Sequence, residues 1–520
     1  MSAADICPLC QRATEKSLLS EAHWYPYWER EDGACPACVQ EHLLKTLLEK
    51  GDAALHERVQ STWPLDAKTA FGALPTPLRL HADPRFAGRG VALAMLDSGF
   101  YPHPDLVQPR NRIRAYLDAT RTPPKVFRFA ANQKPRWQDW NGAHPWQWHG
   151  LMTSVVCAGN GFLSHGLYRG LASHADLVLI RTRGNDGRIS NETLARALGW
   201  LVEHAGEFGV RVVSMSVSGD PVEILAGNPV DASATALVEA GITVVAAAGN
   251  DGQRRLLPPA TAPLVLTIGG IDDHNNFSKD ELALWHSNYG SASNDLPKPE
   301  LVAPSIWVAA PILPGSEVAA EAASLFARRQ RGVNGDEKRT SELKLITPHY
   351  QHVEGTSFAA PVVAATVACM LEANPGLTPF LVRQTLMSTA ELVSGAPPER
   401  QGAGALNAGR AVARALAERH GGDFPWPFSP RLTSEGVVFG LHDHGVRRVE
   451  VFGSWNRWQA PGLLAAQIEA GVWQTQPLGL APGSYSYKFL LDGRTWLDDP
   501  GNSQKIHDGS GNLNSVLVVS

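Results

Sequence analysis

Short apolar runs alternate with amphipathic helical segments between residues 75 and 419, and this alternation constrains the fold more than any other feature of the chain. The runs include VALAML, LVLI, VRVVSMSV, ITVVAAA and LVLTIGG, and the helical segments between them include NETLARALGWLVEHAGEFG and VDASATALVEAG. Strands separated by helices form βαβ units, and strands without polar alternation are buried on both faces of a sheet. The sequence therefore predicts an α/β domain built on a parallel sheet.

Two further segments flank this domain and differ from it in composition. Residues 1–50 hold paired cysteines and a helical stretch, and residues 51–74 link them to the α/β domain at 75–419. A Pro-rich linker at 420–433 leads to residues 434–520, where period-2 apolar patterns are broken by Gly, Asn and Asp turns. This pattern predicts a small β-sandwich of the early immunoglobulin-like type.

Asp, His and Ser occur in this order at positions where a parallel sheet would present them. Asp97 ends the run VALAML and is followed by small residues; His149 opens the helical segment HGLMTSVVCAG, where we expect Gly150 to leave room for a substrate backbone. Ser357, in EGTSFAAP, lies in the first turn of a helix predicted to run to about Asn374. A carboxylate at a strand end can fix the imidazole tautomer, and a helix N-terminus stabilises negative charge near a serine.

A fourth polar residue follows another buried strand. The run VVAAAGNDG places Asn250 after Gly249, where its amide can donate to the oxyanion of a tetrahedral intermediate. These residues together predict nucleophilic catalysis at a carbonyl, in which His149 takes the proton of Ser357 and Asp97 orients the imidazole.

The motifs DSG, HG, GND and GTSFAAP, in this order, resemble those of the subtilase (subtilisin-like peptidase) family over roughly residues 75–419. The segment VVSMSVSG resembles the strand of that family that pairs with substrate backbone, which implies substrate binding by Ser216, Val217 and Ser218. The resemblance implies a serine endopeptidase that works through an acyl-enzyme and needs no catalytic cofactor. Relatives often bind structural calcium, so Ca²⁺ is a candidate ion, although no acidic cluster here requires it.

The chain departs from the subtilase pattern in several places. Ser218 stands where many members have Gly, which would narrow the mouths of the substrate pockets. The segment from Pro311 to Val353 is longer than usual and carries the run ARRQRGVNGDEKR. This run is either a solvated surface loop or a gate or cleavable regulatory loop. The stretch before residue 75 is too short for both the cysteine module and the usual folding prodomain.

Four of the six cysteines form two CxxC pairs, Cys7 with Cys10 and Cys35 with Cys38. Two such pairs can close a tetrahedral four-thiolate Zn²⁺ site, and a helix beginning near Cys38 suits a treble-clef or zinc-ribbon arrangement. Disulfides, a redox pair and iron are the alternatives. Because a four-cysteine site has no open position, we expect the zinc to be structural and the module to serve folding and docking.

The C-terminal segment VRRVEVFGSWNRWQ, together with the later runs GSYSYKFLLDGRTWLDDP and GNLNSVLVV, resembles the glycogen-binding module of AMP-activated kinase β subunits. In that family two tryptophans stack on sugars while a lysine and an asparagine bind hydroxyl groups. The matching residues here are Trp458, Trp496, Lys488 and Asn514. Exposed aromatic rings suit sugars because C–H faces stack on them. The alternative is a structural sandwich with core or interface tryptophans, so the partner is an α-glucan or a protein.

Charge and patterning bear on the remaining classes of partner. A formal net charge of -5 gives no reason to expect nucleic acid or an anionic membrane as partner. No apolar run approaches the ~20 residues that cross a bilayer, and the N-terminus lacks the pattern of a secretory signal. With the paired cysteines, this predicts a cytoplasmic protein. The sequence therefore favours a regulated intracellular serine protease; the alternative is a catalytically inactive protease-fold scaffold that binds α-glucan or a protein partner.

Overall fold

The computed structural model describes the α/β region and the C-terminal region, each with short gaps, and two short strands near the N-terminus. The described residues are 4–6, 13–15, 73–130, 132–133, 135–136, 146–164, 166–221, 227–275, 281–293, 296–333, 335–419, 429–433, 435–442, 446–469, 472–499, 502, 505–508 and 513–519. Strands β1 (Ala4–Ile6) and β2 (Ala13–Glu15) pair antiparallel.

The α/β region is organised around one nine-stranded sheet of largely parallel strands. Its strands are β3 (Ala92–Asp97), β4 (Ile113–Asp118), β5 (Lys125–Arg128), β6 (Asp176–Arg181), β7 (Val210–Met215), β8 (Thr243–Ala247), β9 (Leu266–Asp272), β10 (Ala283–Leu284) and β13 (Leu301–Pro304). The order is β10-β9-β8-β7-β3-β6-β4-β5, with β13 also paired to β9. Only the pairs β4–β5 and β9–β10 are antiparallel. The predicted parallel α/β sheet is confirmed.

Helices pack on both faces of this sheet. Their bounds are α1 (Thr76–Arg79), α2 (Pro104–Val107), α3 (Gln147–Ala158), α4 (Asn191–Phe208), α5 (Pro229–Glu239), α6 (Glu317–Gln330), α7 (Glu337–Glu342), α8 (Thr356–Ala373), α9 (Pro379–Thr389), α10 (Pro398–Gln401) and α11 (Ala408–Arg419). Local sequence sets the ends of α4, since the side chain of Ser190 caps its first turn and Gly209 ends it in the left-handed conformation.

The central strand β3 shows why the sheet is buried on both faces. Leu93 and Met95 point into an apolar cluster with α3 and α8, whereas Ala94 and Leu96 point into a second cluster with α4 and α5. Both layers exclude water, so the polar side chains that end β3 and its neighbours collect at the carboxyl edge of the sheet. Helix α8 is the one helix in the described ranges that is long and apolar enough to span a membrane, and nearly all of it is buried in the domain.

The segment 311–353 is a folded insertion between two paired strands. Strand β14 (Val308–Pro311) pairs with β15 (Tyr350–Val353), and α6 and α7 lie between them. Their apolar side chains form a small cluster of their own, which includes Ile312, Leu325 and Leu345. Short pairs also form from β11 (Gly290–Ser291) and β12 (Pro297–Lys298).

The C-terminal region is entirely antiparallel. Its strands are β16 (Arg431–Thr433), β17 (Gly436–Val438), β18 (Gly440–His442), β19 (Val449–Gly453), β20 (Leu463–Glu469), β21 (Val472–Thr475), β22 (Gly483–Leu491), β23 (Thr495–Leu497), β24 (Lys505–His507) and β25 (Leu513–Val519). Strand β22 pairs with β25 along its first half and with β19 along its second, around a core that includes Trp473, Tyr487 and Phe489. Strand β16 pairs with β17, so antiparallel structure begins inside the predicted linker 420–433.

Candidate active site

Asp97 ends β3 as a buried carboxylate with three hydrogen-bond donors. Its side chain is 1% exposed. Oδ1 accepts from the backbone N–H of Ser98 at 2.6 Å and lies 2.6 Å from Nδ1 of His149. The hydroxyl of Thr153 donates to Oδ2 at 2.8 Å. Both oxygens are therefore held in fixed directions, and one of them faces the imidazole.

His149 lies in the first turn of α3, with its Nδ1 edge turned to Asp97. Burial of the imidazole lowers its pKa and the charge of Arg183 lowers it further, but the charge of Asp97 and the hydrogen bond to it raise it more. The pKa of His149 therefore lies above its ordinary value. The ring centre is 6.1 Å from that of Phe358, the residue after Ser357, so the imidazole lies beside the start of α8.

Gly150 has a different role from the one expected. A Cβ at this position would lie 2.0 Å from the backbone oxygen of Gly99 and 3.0 Å from the Cβ of Asp97. The glycine thus allows α3 to approach the end of β3 closely enough for His149 and Asp97 to meet. The expectation that it leaves room for substrate is wrong, because that space is filled by the chain's own backbone.

Ser357 is the second residue of α8, and the turn before it depends on Gly355. The φ angle of Gly355 is +131°, a region that side-chain-bearing residues rarely adopt. The Ser357 hydroxyl donates to the backbone oxygen of Ser216 at 3.5 Å, and the Ser216 hydroxyl donates to the backbone oxygen of Ser357 at 2.8 Å. Within the described residues, no hydrogen bond joins Ser357 to His149 in this rotamer.

Asn250 is held by the same turn. Its Oδ1 accepts from the backbone N–H of Thr356 at 3.0 Å and from the Thr356 hydroxyl at 2.8 Å. Because Oδ1 is occupied in this way, Nδ2 faces the turn at Gly355, 3.4 Å from the point where a Cβ would stand. The amide N–H₂ group, which has no acceptor among the described residues, is thus available beside the nucleophile.

The predicted substrate segment follows directly after β7. Ser216 is buried, whereas Ser218 is exposed. The backbone groups of Val217 and Ser218 have no hydrogen-bond partner among the described residues, and the next residue, Gly219, donates to the backbone oxygen of Pro258 at 3.4 Å. An open backbone edge of this kind can accept an extended peptide as an added strand.

A polar cavity of about 770 Å³ lies at the same carboxyl edge, beyond β4 and β6. Asp118 is its buried base and lies 3.2 Å from Arg121 and 3.7 Å from Arg181. The remaining lining comes from Thr120 after β4, the loop after β6 and the start of α4, the latter two supplying Gly184, Asn185, Asp186, Arg188, Ser190 and Thr193.

Two contributions to this site could not be read from motifs. Thr153 lies one helical turn after His149, so the i to i+4 spacing was the available signal that both face Asp97. Trp146 precedes α3, and its ring lies under the guanidinium of Arg183 with 4.0 Å between the guanidinium carbon and the ring centre. That contact joins segments 37 residues apart and left no local signal.

The predicted metal ligands Cys7, Cys10, Cys35 and Cys38 lie outside the described residues. Strands β1 and β2 bracket the first pair in the sequence, with Ile6 opposite Ala13. In the ranges that the structure does describe, no group of three or more His, Cys, Asp or Glu side chains is placed to hold a metal ion. Cys157 and Cys369 are buried and unpaired.

Three of the four predicted sugar-binding residues lie on strands of the C-terminal domain, Lys488 on β22, Trp496 on β23 and Asn514 on β25, and Trp458 contacts Trp496. The rings of Trp458 and Trp496 have centres 6.2 Å apart at an interplanar angle of 66°, and Trp496 is 49% exposed. Lys488 lies on β22, and its Nζ is 3.2 Å from the carboxylate of Asp508. Tyr487 is the last residue of β22 that pairs with β25, opposite Ser515. Lys488 follows Tyr487 and pairs with Phe452 on β19, whereas Asn514 pairs with Ile506 on β24.

Comparisons with known proteins agree with this geometry. Residues 88–404 match the model of the subtilase family, and residues 438–520 match that of the glycogen recognition site of AMP-activated protein kinase. Serine protease AprX of Bacillus subtilis is 27% identical over 333 residues, 62% of this chain and 66% of the relative. Subtilisin BL of Lederbergia lenta is 28% identical over 304 residues, 58% of this chain and 84% of the relative.

Among solved structures, proteases from Pseudoalteromonas arctica show 23% identity and a TM-score of 0.46, covering 66% of this chain and 94% of theirs. The match to the subtilase model spans well over half of the chain. The chain therefore belongs to the subtilase family, a family of serine endopeptidases.

Proposed function

We propose that this chain hydrolyses peptide bonds with Ser357 as nucleophile, His149 as general base and Asp97 as the residue that orients the imidazole. The observation that carries the proposal is the 2.6 Å contact between Nδ1 of His149 and the buried carboxylate of Asp97. This contact places the proton on Nδ1 and leaves Nε2 as a base directed away from Asp97, toward the start of α8.

In the first half of the reaction, the Ser357 hydroxyl turns from the backbone oxygen of Ser216 toward Nε2 of His149. Nε2 takes the hydroxyl proton as Oγ bonds to the substrate carbonyl carbon, and returns it to the nitrogen of the leaving amine as the C–N bond breaks. Water then attacks the acyl-enzyme by the same proton path. The positive charge on the imidazole is stabilised by Asp97 in both halves.

The negative charge on the substrate oxygen is stabilised by two kinds of donor. Nδ2 of Asn250 is aimed at the turn because its Oδ1 is held by Thr356. The N–H groups at the start of α8 point the same way and carry the positive end of the helix dipole. The substrate backbone is proposed to pair with Ser216, Val217 and Ser218, whose segment offers an open edge.

Labelling with a fluorophosphonate probe tests the proposal. Wild-type protein should be labelled at Ser357, whereas Ser357→Ala and His149→Ala should not be labelled. Undiminished labelling of both variants would refute the triad. No labelling of folded wild-type protein would favour the alternative, an inactive protease-fold scaffold. Mapping of new protein N-termini in cells with wild type against Ser357→Ala would then identify the substrates and test the proposed intracellular, regulated role.

A second proposed activity is α-glucan binding by the C-terminal domain. It is favoured by the adjacent rings of Trp458 and Trp496, the second of which is 49% exposed, with Lys488 and Asn514 on the neighbouring strands β22 and β25. A sugar ring would stack on an indole face while the two polar side chains bind its hydroxyls. Titration of the full chain with maltoheptaose, followed by tryptophan fluorescence, tests it; a protein docked on this face is the competing outcome.

The N-terminal cysteines are proposed to hold one structural Zn²⁺. Four thiolates are a donor set that zinc favours, and the paired strands β1 and β2 flank Cys7 and Cys10 in the sequence. Metal analysis of purified protein should give one zinc per chain, lost in Cys7→Ser. Protein without zinc, with Cys7 and Cys10 in a disulfide, would refute the site. The cytoplasmic location stays a prediction, to be checked by cell fractionation.

A further inference from the structure

A guanidinium group lies over the ring of Trp146, three residues before His149, and has no carboxylate partner within the described residues. Arg183 lies two residues after the end of β6, the strand that runs parallel to β3. Its guanidinium carbon is 4.0 Å from the ring centre of Trp146, three residues before His149. Its Nε donates to the backbone oxygen of Gly187 at 2.6 Å. The stem and plane of the arginine are thus fixed, while the two terminal nitrogens make no hydrogen bond in the described part of the chain.

Three arginines near Arg183 at this edge are committed to carboxylates. Arg188 lies 3.2 Å from an oxygen of Asp220, and Arg121 lies 3.2 Å from one of Asp118. Arg181 also approaches Asp118, at 3.7 Å. Arg183 therefore differs from its neighbours in that its charge is not neutralised locally.

The charge of Arg183 acts on the catalytic edge. The guanidinium lies over Trp146, the residue before α3, and His149 is the third residue of that helix. The guanidinium charge also lowers the pKa of His149. A half-buried cation without an anion is costly to desolvate, and a bound carboxylate removes that cost. The planar fork of a guanidinium binds a carboxylate through two parallel hydrogen bonds, with a fixed orientation.

Substrate side chains near the scissile bond lie close enough to the nucleophile to meet a neighbouring arginine. An extended peptide rises ~3.3 Å per residue, so side chains within three residues of the scissile bond lie within ~10 Å of the nucleophile. A peptide that pairs with the segment 216–218 and reaches Ser357 would also lie near His149, whose ring centre is 6.1 Å from that of Phe358.

We propose that Arg183, with its guanidinium held over the ring of Trp146, selects substrates that carry aspartate or glutamate within three residues of the scissile bond. This inference rests on the proposed protease function and names the substrate class for that site. The substrate carboxylate accepts from the two terminal nitrogens of Arg183, and the indole keeps the guanidinium plane in place.

The test compares cleavage of peptide mixtures by the full chain and by three variants. Wild-type protein digests a peptide library derived from a whole proteome, and cleavage sites are identified by mass spectrometry. The best site is then made as matched peptides that differ only in Glu against Gln at the enriched position. Arg183→Gln removes the charge and Arg183→Lys keeps it, while both lose the same planar stacking. Arg188→Gln is the control, since it alters a paired arginine of the same loop.

We expect acidic residues to be enriched at one or two positions in wild type and in Arg188→Gln. Arg183→Gln should lower kcat/KM for the Glu peptide by about 10- to 100-fold and leave the Gln peptide within about twofold, the scale of one charge-assisted hydrogen-bond pair. Arg183→Lys should keep part of the preference, and high salt should reduce the Glu-to-Gln ratio in wild type.

Wild-type enzyme that is labelled by fluorophosphonate but shows no acidic enrichment would overturn this inference and leave the protease function intact. An equal loss on both peptides in Arg183→Gln, with no recovery in Arg183→Lys, would also overturn it, because Arg183 would then only support the loop. Absence of labelling in wild type would overturn the protease function, and this inference with it.

Discussion

The triad and the aromatic face of the C-terminal domain present their side chains in opposite ways. Asp97 is 1% exposed and has three hydrogen-bond donors, one from Ser98 just after β3 and two from side chains of α3. Trp496 is 49% exposed and is held by ring contacts with Phe452 and Trp458. The catalytic residues are thus held by the packed core, whereas Trp496 and Trp458 are held by ring contacts near the surface. Substitutions in the C-terminal tryptophan pair should therefore change binding with little change in stability. Substitutions of the buried Asp97 should affect both activity and stability.

The largest expected effect is on catalysis. Ser357→Ala should reduce peptide hydrolysis by about a millionfold, the scale reported for subtilisin triads. The melting temperature should change little, because the serine hydroxyl makes only a 3.5 Å contact with Ser216. Hydrolysis of a fluorogenic peptide and thermal unfolding are measured on the same preparation. Retained hydrolysis would place the nucleophile elsewhere.

Asn250→Ala should lower kcat by about 100- to 1,000-fold with a small change in KM, because the amide binds the transition-state oxyanion and not the ground-state substrate. Its Oδ1 also holds Thr356, so some loss of stability is expected as well. Thr356→Val is the matched control, since it loses the hydroxyl contact but keeps the Asn250 amide. Equal kinetic losses in the two variants would assign Asn250 to support of the turn.

Two tryptophans of the C-terminal domain, one buried and one exposed, test this difference within a single domain. Trp473 is 6% exposed and belongs to the core of that domain, so Trp473→Ala should destabilise it by about 3–5 kcal/mol. Trp496→Ala should leave the unfolding transition in place and remove maltoheptaose binding. Both variants are made in the Ser357→Ala background to prevent self-digestion. A destabilised Trp496→Ala protein, with no sugar bound by its parent, would make this face structural or protein-binding.

The smallest expected effect is a shift in the pH profile. Only neutral His149 can act as base, so activity falls as the pH drops through the pKa of His149. Because Asp97 holds that pKa above the ordinary value of 6.5, the acid limb of kcat/KM should lie above pH 6.5. Asp97→Asn removes the charge, so in that variant the limb should move to lower pH while the rate falls by about 10⁴-fold. An unmoved limb would mean that another group titrates.

The sequence predicted those catalytic residues that stand at the end of an apolar run. Asp97 is the last residue of β3 and Asn250 follows β8, so the apolar runs before them indicated their positions. The contacts that fix their directions were not evident, because Thr153, Thr356 and Trp146 act through distances set by packing. Gly150 was misread for the same reason, since its constraint comes from the backbone of Gly99.

The insertion between β14 and β15 shows a different limit of sequence reasoning. Its charged run ARRQRGVNGDEKR suggested a loop, yet much of it lies in α6 and α7. Arg339 lies 2.6 Å from Glu321, a contact between the two helices that the run of charges did not indicate. Spacing within the run could not show which charges meet across the turn.

The insertion between β14 and β15 should tolerate a break in the polypeptide chain at its tip. The pairing of β14 with β15 and the apolar cluster around Leu325 and Leu345 join its two arms without help from its tip. The tip at Gly332 and Val333 is exposed. A chain opened there would consist of two polypeptides, one with Asp97, His149 and Asn250 and the other with Ser357, held together as a single folded body. The gene could accordingly be divided at this turn to give a protease that is assembled from two separately expressed halves.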